Sequence, residues 1–499
     1  MNLNRPYFHY LFALIAGALL TLSFAPFHIF PLAILSPAIL LGLWLNASPK
    51  RAFGLGFTYG LGLFSTGVYW IFISVHTYGN TSPFLATIIT GLLIAILALF
   101  PALNGYFLNR YFAKNQATKL LCAFPAIWVL LEWVRSWVFT GFPWLLIGYS
   151  QMTSLLRGYA PIFSVYGISL VVTLCSGLLV NAVLAFRQMH YKKMYLSLIS
   201  IAILWGIGTG LSFITWTTPA KEPIKVSLVQ GNIAQELKWS PDQVQPTIDR
   251  YVGLSEQHWD SNIIIWPESA IPLPFHVAKD FLTVLAQKAI EHKTTFIVGI
   301  PMKAPDKEGY YNAVIALGTG KGLYMKQLLV PFGEYIPLRH IVGGLLDLLQ
   351  VPMSDFIAGP VSPEPITAAG MKIATFICYE IAYPEKVLTR DGNVDMLLTV
   401  SNDAWFGHSI AQAQHLEMAQ MRALELGRPL LFGSNDGITA VINAKGNVQS
   451  RVPQYETVVL TTTVQATKGK TPWQRYGMDP ILVILIILLI IAIRKRNKS

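Results

Sequence analysis

The sequence predicts a polytopic α-helical membrane domain joined to an extramembrane α/β domain. Three observations lead there. Of 499 residues, 53% are hydrophobic and 13% charged, with mean hydropathy +0.48, whereas soluble domains carry about 25% charged residues. The apolar residues gather into runs of about 20, the length that crosses a bilayer. One long stretch, residues 215–478, breaks this pattern and reads instead as alternating strands and helices.

The apolar runs fall at about 8–25, 30–47, 53–74, 84–108, 119–139, 160–186, 195–214 and 479–493. The first could pass for a signal peptide, but further spans follow closely, so it is expected to be retained. Prolines interrupt the second. Basic residues cluster in alternate connections: Arg5, then Lys50 and Arg51, then Arg110, Lys114 and Lys119, then Arg187, Lys192 and Lys193, and finally Arg494, Lys495, Arg496 and Lys498. The other connections are almost free of Lys and Arg, so the positive-inside rule makes both termini cytoplasmic. The net charge of +11 is then a matter of topology and does not point to nucleic acid. The expected organisation is a seven-span domain over 1–214, an extramembrane domain over 215–478, and a last helix with a basic tail over 479–499. In a Gram-negative cell the middle domain would be periplasmic.

Within that domain, strands are expected at Lys225–Gln230, Asn262–Trp266, Thr295–Ile300, Tyr311–Leu317, Leu323–Val330, Ile373–Ile377, Met396–Val400, Leu430–Gly433, Ile438–Ile442 and Val458–Thr463. Helices are expected at Thr247–His258, Ala278–His292 and Ala411–Glu425. Such alternation argues for α/β layers around buried sheets.

Three strand ends deliver reactive groups. Cys378 ends the run Met371–Ile377, and the other two cysteines, Cys122 and Cys175, lie in apolar spans. On its local context alone an unpaired cysteine is a small buried hydrophobe. Glu268 ends Ile263-Ile264-Ile265-Trp266-Pro267, and Lys326 lies in Tyr324-Met325-Lys326-Gln327-Leu328. Taken singly, one reads as a surface carboxylate and the other as an outward amine on an edge strand. A carboxylate, an amine and a thiol together suffice for acyl transfer through a thioester. The carboxylate takes the thiol proton, and the ammonium stabilises thiolate and oxyanion.

The segments WPES at 266–269, K-x-x-L-V-P-F-G-E at 326–334 and CYE at 378–380 resemble the Glu-Lys-Cys signature of the nitrilase superfamily. Within it, VSLVQGNI at 226–233, the LKW ending at Trp239, GFPWLLIGYSQ at 141–151 and SNDAWFG at 401–407 are similar to the apolipoprotein N-acyltransferase family. The resemblance covers essentially the whole chain. It implies a nitrilase-like αββα sandwich in the inner membrane protein's periplasmic part. It also implies transfer of an acyl chain from a phospholipid such as phosphatidylethanolamine, by way of Cys378, to the α-amino group of a diacylglyceryl-cysteine on an apolipoprotein. Glu268 would be the general base and Lys326 the oxyanion stabiliser. Glu334, Tyr379 and Glu380 would shape the site, and Trp239 would face substrate.

Two further segments stand out. The apolar, glycine-bearing stretch 341–349 is too short to span a bilayer and reads either as a core helix or as a mobile arm over the acyl chain. Glu132 and Arg135, three apart in the fifth span, read as a structural pair near the interface. No metal-ligand spacing and no phosphate loop is present, so no cofactor is expected, and the chain is expected to act as a monomer. A membrane-tethered amidase would share the three reactive groups without needing seven spans. A transporter with an exported binding module would show internal repeats, and none is evident.

Overall fold

Among the described residues, two six-stranded sheets form the α/β unit, their central strands built from mostly apolar runs. The computed structural model describes residues 6–112, 115–305, 308–331, 333–335, 356–360, 364–388 and 393–496. The strands are β1 (Thr218–Pro219), β2 (Ile224–Gln230), β3 (Ile263–Ile265), β4 (Thr295–Lys303), β5 (Tyr310–Gly318), β6 (Leu323–Met325), β7 (Ile366–Ala368), β8 (Met371–Ile377), β9 (Met396–Ser401), β10 (Leu430–Ser434), β11 (Ala440–Ile442), β12 (Val448–Arg451), β13 (Val458–Val464) and β14 (Thr467–Lys468). One sheet has the order β13-β2-β3-β4-β5-β6 and the other β12-β11-β10-β9-β8-β7, while β1 pairs with β14. The centres are parallel, β2 to β3 to β4 and β8 to β9 to β10.

Parallel strands covered on both faces read as continuous hydrophobic runs, as Ile263-Ile264-Ile265 does. Successive side chains still alternate between faces. Leu228, Ile265 and Ile297 enter a core shared with Ile373, Ile377, Leu398 and Leu431 of the other sheet. Val229, Ile264, Phe296 and Val298 pack instead with Tyr251, Leu282 and Leu285, which lie on the helices Pro241–Ser255 and Lys279–Glu291. The second sheet is covered by the helix Ala411–Leu426, whose His415 meets Phe432 edge-on at 5.2 Å. The layers are therefore α-β-β-α, the expected sandwich.

Some boundaries moved. The first of these helices begins at Pro241, where proline is tolerated at the first helical position, and β6 stops at Met325 well short of Val330. β7 and β12, three and four residues long, were too short to be read from the sequence. Residues Phe72–Pro83 belong to the same compact unit as Trp216–Gln474. Ser74 Oγ donates to the Trp405 carbonyl at 2.6 Å, and the Tyr78 and Trp405 rings meet edge-on at 6.1 Å.

The other unit is helical. Among the described residues, four helices are long and apolar enough to cross a membrane: Pro83–Tyr111, Gln116–Arg135, Leu155–Arg187 and Tyr191–Ser212. A fifth counts if Pro49–Gly67 and Trp70–Tyr78 are one broken span. Pro6–Thr21 and Leu32–Trp44 have only 16 and 13 residues, so these expected spans are shorter than their apolar runs. Pro31 at the N-cap marks the start of the second, which runs on through Pro37. Asp479–Arg496 closes the chain with 18 residues.

Glu132 and Arg135 do more than neutralise each other. Glu132 Oε1 accepts from the Ile147 amide at 2.8 Å and from Trp128 Nε1 at 3.1 Å. Arg135 Nη1 donates to the carbonyls of Phe142 (3.0 Å) and Trp144 (2.6 Å). Together they fasten the loop that joins their helix to the next. The stretch 341–349, expected as arm or core helix, lies outside the described residues.

Candidate active site

Glu268, Lys326 and Cys378 come from β3, β6 and β8, two in one sheet and one in the other, each just past its strand's end. Strand ends are where a buried sheet gives way to loops that can present polar groups. Lys326 is only 1% exposed. Its ammonium lies 2.8 Å from Glu334 Oε2, 2.9 Å from Glu334 Oε1 and 3.8 Å from Glu268 Oε1. Lys326 is thus turned inward, and its place on the edge strand does not make it a surface amine. Burial alone would lower its pKa; Glu334, then Glu268 and Cys378, outweigh that and hold the ammonium above its ordinary value.

Glu268 is held from three sides. Its Oε1 accepts from Asn312 Nδ2 at 2.6 Å, its Oε2 from the Asn402 amide at 2.8 Å, and its main-chain carbonyl from Lys238 Nζ at 2.9 Å. The turn carrying it presses against β4. A Cβ on Gly299 would sit 2.3 Å from the Pro267 carbonyl oxygen and 2.8 Å from the Glu268 Cα. Only glycine permits that approach.

Cys378 is half-buried and adopts φ of +52°, a conformation L-residues rarely take and one that clusters at functional sites. Burial pushes its thiol up, and the Glu268 carboxylate adds to that. Lys326 opposes both, and the net shift is upward. A thiol so protonated needs a base before it can attack.

Glu380 joins two of these segments. Its Oε2 accepts from the Ile377 amide (2.8 Å) and Tyr324 Oη (2.7 Å), and its Oε1 from the amides of Gln327 (2.7 Å) and Leu328 (3.0 Å). Burial raises its pKa, although the Ile377 amide, Lys326, Tyr324 and the Leu328 amide all favour the anion. One carboxylate thus ties the residue before Cys378 to the residues after Lys326. Glu334 Oε2 accepts from the Val330 amide at 2.9 Å, which closes the Lys326 loop on itself.

Tyr379 is buried, edge-on to Tyr383 at 5.1 Å. Trp239 is 48% exposed at the end of the loop 231–240. Three residues absent from the sequence reading belong here. Lys238, beside Trp239, is buried, and burial lowers its ammonium to about 8 against the pull of Glu268, Asp436 and Cys378. Asn312 and Asn402 orient Glu268. A lone asparagine inside the apolar strand Tyr311-Asn312-Ala313-Val314 is the one signal that could have revealed Asn312. Among the described residues no cluster of three or more His, Cys, Asp or Glu could hold a metal ion.

Family models match in two blocks, the apolipoprotein N-acyltransferase N-terminal domain over residues 16–178 and the carbon-nitrogen hydrolase over 225–472. An apolipoprotein N-acyltransferase of Coxiella burnetii is 44% identical over 96% of this chain and 99% of its own. One of Methylococcus capsulatus is 41% identical over 98% and 97%. A crystal structure of a CN-hydrolase superfamily protein from Xanthomonas campestris aligns with 49% of this chain and 91% of its own, at 18% identity and a TM-score of 0.37. With relatives of that identity matching from end to end and both family models in order, the chain belongs to the apolipoprotein N-acyltransferase family.

Proposed function

We propose that this chain moves an acyl chain from a membrane phospholipid to the N-terminal amine of a diacylglyceryl-modified lipoprotein, with Cys378 carrying the chain as a thioester. The observation that carries the residue assignment is geometric: the Lys326 ammonium lies 3.8 Å from the Glu268 carboxylate, and both residues, like Cys378, follow closely on strand ends. Glu268 takes the thiol proton and the sulfur attacks the acyl ester carbon. The carbonyl electrons move to oxygen, where the Lys326 ammonium stabilises the oxyanion. Collapse of that intermediate breaks the ester C–O bond, Glu268 returns the proton to the glycerol oxygen, and a lysophospholipid leaves. The acceptor amine then attacks the thioester, Glu268 removes its proton, the C–S bond breaks and the thiolate regains the proton.

In this reading Glu334 keeps Lys326 charged and in place, Glu380 fixes the Cys378 turn, and Tyr379 packs beneath it, while exposed Trp239 meets lipid or peptide. The basic connections put both termini in the cytoplasm and the domain 215–478 on the outer face of the inner membrane. Phosphatidylethanolamine is the proposed donor, and all three reactive groups come from one chain, as a monomer requires. The test is incubation of the full chain with a phospholipid bearing a labelled acyl chain, then mass spectrometry of the Cys378 peptide. A thioester that passes its label to a synthetic diacylglyceryl-lipopeptide is expected. Full transfer by Cys378→Ala would sink the mechanism.

A further inference from the structure

A second polar network reaches Cys378, and no step of the proposed reaction uses it. Ser401 ends β9, Asp403 follows two residues later, Ser434 ends β10 and His415 lies on the helix Ala411–Leu426. All four are 0% exposed. Asp403 Oδ1 accepts from Ser401 Oγ at 2.6 Å and lies 3.0 Å from His415 Nδ1, and its Oδ2 accepts from Ser434 Oγ at 3.2 Å. His415 Nε2 is 3.1 Å from the Cys378 carbonyl oxygen. A hydrogen bond from the Ser401 hydroxyl would favour the thiolate form of Cys378. The contacts run from Ser401 through Asp403 and His415 to the main chain of Cys378.

A carbonyl oxygen only accepts, so His415 Nε2 carries a hydrogen and donates it. Phe406 and Phe432 stand edge-on to the imidazole at 6.1 and 5.2 Å, which leaves the ring little freedom to turn. The left-handed conformation of Cys378 is strained and persists only where the surroundings enforce it. Glu380 grips the amide of Ile377, the residue before Cys378, and His415 grips the carbonyl of Cys378 itself. The Ser401 hydroxyl has two possible directions, toward Asp403 and toward sulfur. When the thiol loses its proton, that hydroxyl can turn to the thiolate while Asp403 keeps its contacts with His415 and Ser434.

We propose that His415, oriented by Asp403, is a positioning residue that holds the Cys378 main chain while Ser401 holds its sulfur, so that the sulfur is aimed at the acyl carbon. The inference rests on Cys378 being the nucleophile. Aim matters for attack on a bound ester, where a misplacement of about 1 Å can cost roughly a hundredfold. It matters little for a small, freely diffusing alkylating agent.

The test compares two rates at Cys378 in the full chain: thioester formation from labelled phospholipid, and alkylation by iodoacetamide, both followed on the Cys378 peptide by mass spectrometry. In His415→Phe, which keeps ring volume but loses the donor, the ratio of the two rates should fall at least about tenfold. His415→Gln, which restores a donor near the Nε2 position, should recover most of it. A smaller fall, or a glutamine variant no better than phenylalanine, overturns the proposal. If His415→Phe does not fold, Asp403→Asn decides by the same threshold. Failure of both to fold overturns the proposal too, because the network would then be a folding element. Absence of any thioester in the unmodified chain would instead indict the nucleophile assignment itself.

Discussion

Two clusters of buried charge, one in each unit, use the same side-chain types in opposite ways. In the helical unit Glu132 and Arg135 reach the main chain of residues 142–147, accepting from one amide and donating to carbonyls. In the α/β unit Lys326 directs its ammonium at two carboxylates, Glu334 and Glu268. The first arrangement converts charge into loop geometry. The second leaves charge facing charge, with a thiol close enough to feel both. Buried ions are costly to place and costlier to orphan. The difference is therefore one of purpose: removal of a charge from the first cluster should loosen structure, and from the second should abolish chemistry.

The largest effect is expected from Lys326→Met. It removes the cation that opposes the upward shift of the Cys378 thiol and leaves Glu334 and Glu268 facing each other without it. Thioester formation should drop by up to about a thousandfold, the upper end of the scale for losing one oxyanion donor. Thermal unfolding should also show a loss of about 3–5 kcal/mol, as when one partner of a buried pair is removed. Retention of a tenth of the activity would break the comparison. Gly299→Ala comes next. Its new methyl meets the turn of Glu268 at main-chain atoms that cannot swing aside. Activity should fall by roughly a hundredfold from displacement of the base, with overpacking costing only about 1–3 kcal/mol. Equal fractional losses of activity and of folded protein would mean that the turn does not steer Glu268.

The fold was legible where apolar runs were long and bounded. β2, β3, β4, β8 and β9 read directly, because strands buried on both faces are apolar at most positions and their few polar residues do not break the run. The candidate site was legible only where a reactive side chain ends such a run, as Glu268 and Cys378 do. Lys238 was not, for a physical reason. It sits between Leu237 and Trp239, each 48% exposed, in a loop with no period, so nothing local distinguishes the one side chain that turns inward. His415 was hidden differently. It lies on a helix buried along nearly its whole length, where the pattern has no polar face against which a histidine would stand out. Glu132 and Arg135 were noticed, but their i,i+3 spacing suggested each other as partners, and the loop they hold is distant from that pattern.

Lys238→Met sharpens the comparison at intermediate size, because this lysine donates to a main-chain carbonyl yet lies within the chemical cluster. Burial holds its pKa at about 8, against 10.5 for a free lysine. Below pH 8 its ammonium adds positive charge beside Glu268 and Cys378; above that it is neutral. The wild-type chain should form thioester about tenfold faster than the methionine variant at pH 7, a loss near 1.4 kcal/mol. The advantage should shrink toward one above pH 8. Stability should run the other way. The unfolded chain binds this proton up to pH 10.5 and the folded chain only up to about 8, so the cost is fully present below pH 8 and fades as pH rises to 10.5. The variant should therefore unfold later than wild type at pH 7, by about 1 kcal/mol after loss of the hydrogen bond to Glu268. A rate ratio independent of pH would remove Lys238 from the cluster.

Arg135→Met should have the smallest effect on chemistry and is the sharpest test of the contrast. The methionine keeps much of the buried stem's volume but withdraws the donors from the carbonyls of Phe142 and Trp144. It also removes the cation over the Phe64 ring, 5.3 Å from its centroid. Buried carbonyls left without donors cost about 1–3 kcal/mol each, and Glu132 loses the favourable charge of its neighbour. The detergent-solubilised chain should lose about 2–4 kcal/mol in thermal or denaturant unfolding. Thioester formation per folded molecule should stay within about threefold of wild type, because the loop that this cluster holds supplies none of the three reactive groups and only a displaced aim would slow them. If Arg135→Met instead cut the rate per folded molecule a hundredfold at unchanged stability, the helical cluster would be acting on the chemistry, and the division between charge that shapes a loop and charge that drives a reaction would fail at the place where it is drawn most firmly.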